Sequence, residues 1–269
     1  MISFAPCKIN LGLHIIGKRP DGYHDLETCF YPVPWTDIVE IIDGEKTAFT
    51  STGIQIPGAA EDNLCLKAYR VLARDHTLPP VHIHLHKVLP SGAGLGGGSS
   101  DGAHTLRLLN EKFSLHLSAD ELIRYAAALG SDCPFFIHNS PMIGTGRGEI
   151  LRGIPLSLSG KYLVLLKPGI HVSTAEAFRT VKPAKRTRPI ADIITTIPVT
   201  HWKNTLENDF ESGLFNSFPV IGELKESLYR AGALYASMSG SGSSVFGIFQ
   251  QPVGLSAFEP FIIWAGLLP

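Results

Sequence analysis

The stretch Pro90-Ser91-Gly92-Ala93-Gly94-Leu95-Gly96-Gly97-Gly98-Ser99-Ser100-Asp101 places five glycines inside seven positions. Glycine loses more conformational freedom on folding than any other residue, so so dense a cluster implies that the backbone itself approaches something closely. Upstream, Val81 to Val88 alternates apolar and polar residues, the period-two pattern of a half-buried strand. Downstream, Ser99, Ser100 and Asp101 are capping residue types, and Ala103, Leu106 and Phe113 share one face of the helix they predict. Strand, glycine loop and helix start make a cradle for phosphate: bare N–H groups and the positive end of a helix converge on one anion.

Two better-known loops resemble this one and do not match it. No Gly-Lys-Ser/Thr ends the stretch, so it is not a Walker A motif. Gly92, Gly94 and Gly97 satisfy G-x-G-x-x-G, but a dinucleotide fold puts that pattern after the first strand, with an acidic residue about 20 positions on. Here the pattern lies a third of the way along the chain, and Asp120 and Glu121 fall at a helix start. A flexible linker would lack the strand and helix signals that frame the loop.

Bulk properties narrow the class. The 269 residues suffice for one large domain or two ordinary ones, and 44% hydrophobic content builds a real core. A formal net charge of −1 argues against coating a nucleic acid. Cys7, Cys29, Cys65 and Cys133 are scattered, with no C-x-x-C, so neither a disulfide framework nor a zinc site is expected. No basic region followed by an apolar run opens the chain, and no apolar stretch is of membrane-spanning length. The expectation is a protein of the reducing cytoplasm, without membrane or nucleic-acid partners. Gly153 to Gly160 reads as a boundary, dividing the chain into residues 1–155 and 156–269. Ser118-Ala119-Asp120-Glu121 is a capping box whose helix should stop at Gly130. Residues 182–189, basic and bounded by prolines, read as a solvated turn.

Other candidate residues carry two readings each. In Lys8 to Ile15 the apolar Ile9, Leu11, Leu13 and Ile15 share one strand face, and Lys8, Asn10, Gly12 and His14 the other, which lines a polar cleft or faces solvent. Pro20-Asp21-Gly22-Tyr23-His24 is a turn whose ring and imidazole either grip a planar ligand or sit in water. Asp132, between Gly130 and the helix-opening Pro134, is either a plain N-cap or a partly buried acid that needs a cation, for which Lys8 is the natural candidate. Met238 to Ser244 is a second glycine and serine loop, either closing over the same phosphates or simply entering a strand. His82, His84 and His86 share a strand face, but no carboxylate or cysteine cluster joins them, which favours a surface role over a metal site.

Taken together, Pro6 to Leu11, Pro20 to His24, Leu89 to Asp101, Gly130 to Pro134 and Gly240 to Ser243 resemble the GHMP small-molecule kinases. The Tyr23-His24 element and the Asp132 context point to the branch that acts on cytidine diphospho-methylerythritol. Ser244 stands where threonine is common in the family, and the middle of the chain and its last residues match poorly. The resemblance implies an α+β, two-domain GHMP kinase fold. Its N-terminal domain would be similar to ribosomal protein S5 domain 2, and its C-terminal domain ferredoxin-like. It implies ATP with Mg²⁺ as cofactors and phosphorylation of the substrate's 2-hydroxyl in non-mevalonate isoprenoid synthesis, by a monomer or weak homodimer. By position, Pro90, Ser91, Gly92, Ala93, Gly94, Leu95, Gly96, Gly97, Gly98, Ser99 and Ser100 would wrap the ATP phosphates. Lys8 and Asp132 would be the catalytic pair, and Asn10, Tyr23, His24 and Phe178 would bind substrate, with Asn63 and Lys67 near the nucleotide; the resemblance assigns no metal ligands.

Overall fold

The computed structural model describes residues 1–181, 183–184 and 186–269, so Lys182 and Lys185 of the basic loop lie outside the described residues. Contacts group the chain into two compact units, neither of them one continuous segment. The first comprises Met1–Lys8, Trp35–Ser91 and Gly96–Ser140, and the second Ile9–Pro34, Gly92–Leu95 and Pro141–Pro269. Two long strands, β1 (Ile2–Lys18) and β2 (His24–Asp43), contribute to both and pair with each other.

In the first unit, the latter half of β2 pairs antiparallel with β4 (Val81–Lys87), whose other edge takes β3 (Ala48–Gly53) in parallel. The alternation read in β4 is real: Val81, Ile83 and Leu85 are fully buried, while His82, His84 and His86 are not. Those histidines form a ladder with β3. The Thr50 hydroxyl lies 2.8 Å from His82 Nε2, and Thr52 bridges His84 and His86 at 3.0 and 2.9 Å. Among the described residues no group of three or more His, Cys, Asp or Glu side chains is arranged to hold a metal ion.

Helices α1 (Leu64–Leu72), α2 (Gly97–Lys112), α3 (Ala119–Leu129) and α4 (Cys133–His138) pack on one another. Ala103 and Leu106 of the expected face are fully buried, as is Leu109, whereas Phe113 is the half-buried C-cap just past the helix. A Cβ on Gly102 would lie 3.0 Å from Leu64, which shows how closely α2 approaches α1. The capping box at Ser118 and Glu121 forms with both reciprocal bonds, and α3 stops at Gly130. One boundary differs from the sequence reading. Helix α2 begins at Gly97, with left-handed Gly96 as its N-cap, so Ser99 and Ser100 lie in the first turn and do not cap it.

The second unit holds the hairpin of β5 (Met142–Gly146) and β6 (Ile150–Gly153), with β5 paired to the first half of β2. It also holds an antiparallel sheet in the order β10-β7-β9-β8, built from β7 (Tyr162–Leu166), β8 (Tyr235–Met238), β9 (Val245–Phe249) and β10 (Ile262–Leu267). Helices α5 (Thr174–Thr180), α6 (Ile190–Thr196), α7 (Phe210–Ser217) and α8 (Pro219–Arg230) complete it. Its core joins Leu13 and Ile15 of β1 to Val164, Leu166, Leu214, Leu224, Leu228 and Val245. Here the predicted apolar face of the first strand finds its partners.

Candidate active site

Lys8 is 3% exposed, so the polar row of β1 does not face bulk solvent at this point. Its Nζ lies 3.7 Å from Asp132 Oδ2. Burial disfavours the Lys8 ammonium and lowers its pKa, and the charge of Asp132 pulls the other way. Asp132 occupies the N-cap position of α4, with Pro134 in the first turn, yet its side chain makes no capping bond. Its carboxylate is 36% exposed and is turned to the ammonium. Of the two readings of Asp132, the acid paired with Lys8 is therefore the one realised. The neighbouring Cys133 is buried and its thiol is pushed up to about 12, which makes it an inert packing residue.

The glycine loop ends beside this pair. A Cβ on Gly96 would meet Phe136 Cζ at 2.9 Å and Lys8 Cε at 3.1 Å, so the backbone entering α2 runs directly against the Lys8 stem. The first turn of α2, from Gly97 to Ser100, thus opens next to a buried ammonium and a half-exposed carboxylate. An anion at that helix start would meet N–H groups, the positive end of the dipole and Lys8, and Asp132 could accept a proton there. Asn63 caps α1 by accepting from Cys65 N at 2.9 Å, and Lys67 pairs with Asp62 at 3.1 Å.

Beneath the loop lies an arrangement the sequence reading missed. Lys87 Nζ donates to Asp37 Oδ2 at 2.5 Å and to Asp101 Oδ2 at 2.7 Å. Asp37 Oδ1 accepts from Val88 N and Leu89 N at 2.6 and 2.8 Å. The signal was present. Lys87 continues the inward register of Val81, Ile83 and Leu85, and Asp37 that of Val39 and Ile41, so each charge sits on an apolar strand face. Removing one member of such a buried ion network costs roughly 3–5 kcal/mol, because the remaining charge is left uncompensated.

In the second unit, Gly92 to Leu95 pack against the loop between β8 and β9. Ser239 Oγ donates to Gly94 O at 2.8 Å and accepts from Asn10 N at 3.3 Å, and Ser244 N donates to Ala93 O at 3.2 Å. The serine-rich loop is therefore a strap on the glycine loop as well as a strand entry. Asn10 is 2% exposed, and its amide donates to Thr28 Oγ1 at 2.9 Å. Gly94 has φ +78°, and a Cβ there would fall 2.0 Å from Ser239 O. Gly94→Ala should lower stability by more than about 1 kcal/mol, the usual cost of a left-handed alanine, since a backbone clash is added. Denaturant unfolding together with the KM for ATP checks this; an alanine variant matching the parent in both would show that the strap is not needed.

Tyr23 is exposed, with the Arg147 guanidinium 5.0 Å from its ring centre. His24 stacks on Phe178, with ring centres 4.8 Å apart and planes 18° apart, and Phe178 meets Phe210 edge-on at 4.9 Å. The structure thus brings His24 and Phe178 into direct contact and leaves Tyr23 to Arg147, a residue the sequence reading did not single out.

Comparison with known proteins gives consistent findings. The model of the GHMP kinases N terminal domain matches residues 63–140, and that of the GHMP kinases C terminal domain matches residues 200–257. A Cytophaga hutchinsonii protein named 4-diphosphocytidyl-2-C-methyl-D-erythritol kinase is 54% identical over 251 residues, 93% of this chain and 92% of that protein. A Parabacteroides distasonis protein of the same name is 48% identical over 271 residues, all of both chains. Among solved structures, a 4-(cytidine 5'-diphospho)-2C-methyl-D-erythritol kinase superposes with a TM-score of 0.79 at 30% identity, covering 94% of this chain and 91% of that one. The Leishmania major mevalonate kinase, at 16% identity, TM-score 0.65 and coverage of 92% and 86%, shares the fold.

Proposed function

The chain belongs to the 4-diphosphocytidyl-2-C-methyl-D-erythritol kinases of the GHMP kinase family, and on that premise we propose which of its atoms do the chemistry. It is an ATP-dependent small-molecule kinase that phosphorylates 4-diphosphocytidyl-2-C-methyl-D-erythritol in the non-mevalonate route to isoprenoid precursors. The acceptor is the 2-hydroxyl. The observation that carries the residue assignment is the Lys8–Asp132 pair set against the backbone at Gly96.

The γ-phosphoryl group passes through a loose transition state, so positioning and charge neutralisation do most of the work. Pro90 to Ser100 wrap the phosphates, with the N–H groups at the start of α2 facing them. The acceptor oxygen forms a bond to the γ-phosphorus, the bridging bond to the β-phosphate breaks, and ADP leaves. Asp132 takes the hydroxyl proton. Lys8, held charged against its burial by Asp132, steadies the transferring group. An ordinary aspartate is a weak base towards an alcohol, with pKa about 3.9, and late proton transfer makes that sufficient. Asn10 orients the acceptor, while Tyr23 and His24 receive the cytosine ring and Phe178, stacked directly on His24, supports the imidazole from behind instead of covering the ring's other face.

Mg²⁺ comes with the nucleotide. A small hard ion of this kind is held largely by phosphate oxygens and water. When bound, the ion would neutralise charge on the phosphate oxygens. We assign the two family domains to 1–155 and 156–269, a division by chain order that differs from the two contact-based units, which interleave along the chain. No helix among the described residues is long and apolar enough to cross a membrane. The enzyme acts in the cytoplasm, as a monomer or weak homodimer, without a nucleic-acid partner.

An ADP-release assay with the cytidine diphosphate substrate, mevalonate and homoserine tests the reading. Turnover is expected with the first alone. Preference for either bare alcohol would overturn the substrate assignment.

A further inference from the structure

Asp37, Lys87 and Asp101 are 0, 3 and 2% exposed, and they come from three elements, β2, the end of β4 and the second turn of α2. Their formal charges do not cancel. Two carboxylates against one ammonium leave a net −1 in a place water does not reach, and an uncompensated buried charge is far costlier than a captured proton. The hydrogen bonds show where a proton is wanted. Both oxygens of Asp37 are supplied with donors, two backbone N–H groups on one and Lys87 on the other. Asp101 receives Lys87 on Oδ2 only, and its Oδ1 is buried without a partner.

The cluster is also placed where it would sense a nucleotide. A Cβ built on Gly97, the first residue of α2, would lie 3.1 Å from Lys87 Nζ, so the ammonium of the triad sits directly under the first turn of the phosphate cradle, beside Leu89. A polyanion arriving on the other side of that turn adds negative potential to a site already carrying an excess of it. Resting on the reading of the glycine loop as the nucleotide grip, we propose that this triad holds an extra proton on Asp101. Nucleotide binding would draw that proton in further, so that the enzyme takes up protons as it loads.

The surroundings agree. Burial raises the Asp101 carboxyl above its ordinary value, Lys87 opposes the rise, and repulsion from Asp37 adds to it. Lys87 is held charged by its two carboxylates against the effect of burial. Lys8 on β1 lies against neighbouring Gly96 with its charge paired to Asp132, and the thiols of Cys7 on β1 and Cys65 on α1 also act on the triad. Burial drives both thiols upward, so they stay neutral and supply no compensating charge. The sign follows. An anion nearby favours the protonated acid, so nucleotide affinity should weaken as pH rises through the titration of Asp101.

The test is calorimetric titration of the full chain with Mg-ADP near neutral pH, in two buffers of different ionisation heat. The parent protein should take up a fraction of a proton, at most one, per nucleotide bound. Asp101→Asn should bind nucleotide and lose that uptake, with an affinity that no longer declines with pH. Equal proton counts in the two proteins, or binding by the parent without uptake, would overturn the proposal while leaving the nucleotide reading intact. Failure of the parent to bind Mg-ADP would overturn both. Should Asp101→Asn not fold, infrared difference spectra of the parent, with and without Mg-ADP, must contain the carbonyl band of a protonated carboxylic acid that moves on carbon-13 labelling of aspartate. Absence of that band would equally reject the idea.

Discussion

Asp132→Asn is expected to lower kcat by about 10²–10⁴-fold, the range over which a positioned general base contributes. The substitution keeps size and shape and removes the proton-accepting oxygen, together with the negative charge that favours the Lys8 ammonium. It should not disturb the fold, because Asp132 makes no capping bond to α4 and is partly exposed. The phosphate grip lies on the backbone of the glycine loop, so the KM for ATP should stay close to that of the parent. Single-turnover kinetics with the cytidine diphosphate substrate separate the chemical step from release. A variant turning over within a few-fold of the parent would remove Asp132 as the base.

Lys8→Met should be nearly as damaging, lowering kcat by about 10²–10³-fold, as loss of a preorganised charge at a transferring group typically does. Methionine preserves much of the apolar stem that packs beside Gly96 and Phe136, so the effect reports the ammonium and not a cavity. A pH profile adds an independent check. Lys8 must be protonated to act, and burial lowers its pKa below the ordinary lysine value. Activity should therefore fall on the alkaline side at a lower pH than an exposed lysine would dictate. Lys8→Arg, whose guanidinium stays charged throughout, should lack that limb even if its rate is poor. An alkaline limb identical in the parent and the arginine variant would assign it to another group.

Much of this was legible because the chemistry is local. The glycine loop announces itself by composition, and the capping box at Ser118 forms with the residues and the stop that its spacing predicts. The cap of α2 lies at least three residues earlier than Ser99, Ser100 and Asp101 suggest, because serine and aspartate are strong caps in isolation, while here a left-handed Gly96 takes the role. Two other features escaped for different reasons. Lys87 and Asp37 stand in the inward register of their strands, but charged residues are discounted when an apolar face is traced, although together they satisfy one another. Ser239 meets Gly94 across 145 positions of sequence, and no periodicity reports a contact of that span. The stacking of His24 on Phe178 likewise depends on helix α5 reaching the end of β2, which neither segment encodes alone.

Gly94 and Gly96 hold left-handed backbones, with main chain or aromatic ring where any Cβ would go. Chiral residues are shut out of both places, so the segment has almost no room to drift. Evolutionary tuning of nucleotide affinity must therefore fall on the layer behind it, on residues such as Ser239, Phe136 and Lys87. That layer, and not the signature motif, is where lineages descended from this enzyme should differ from one another.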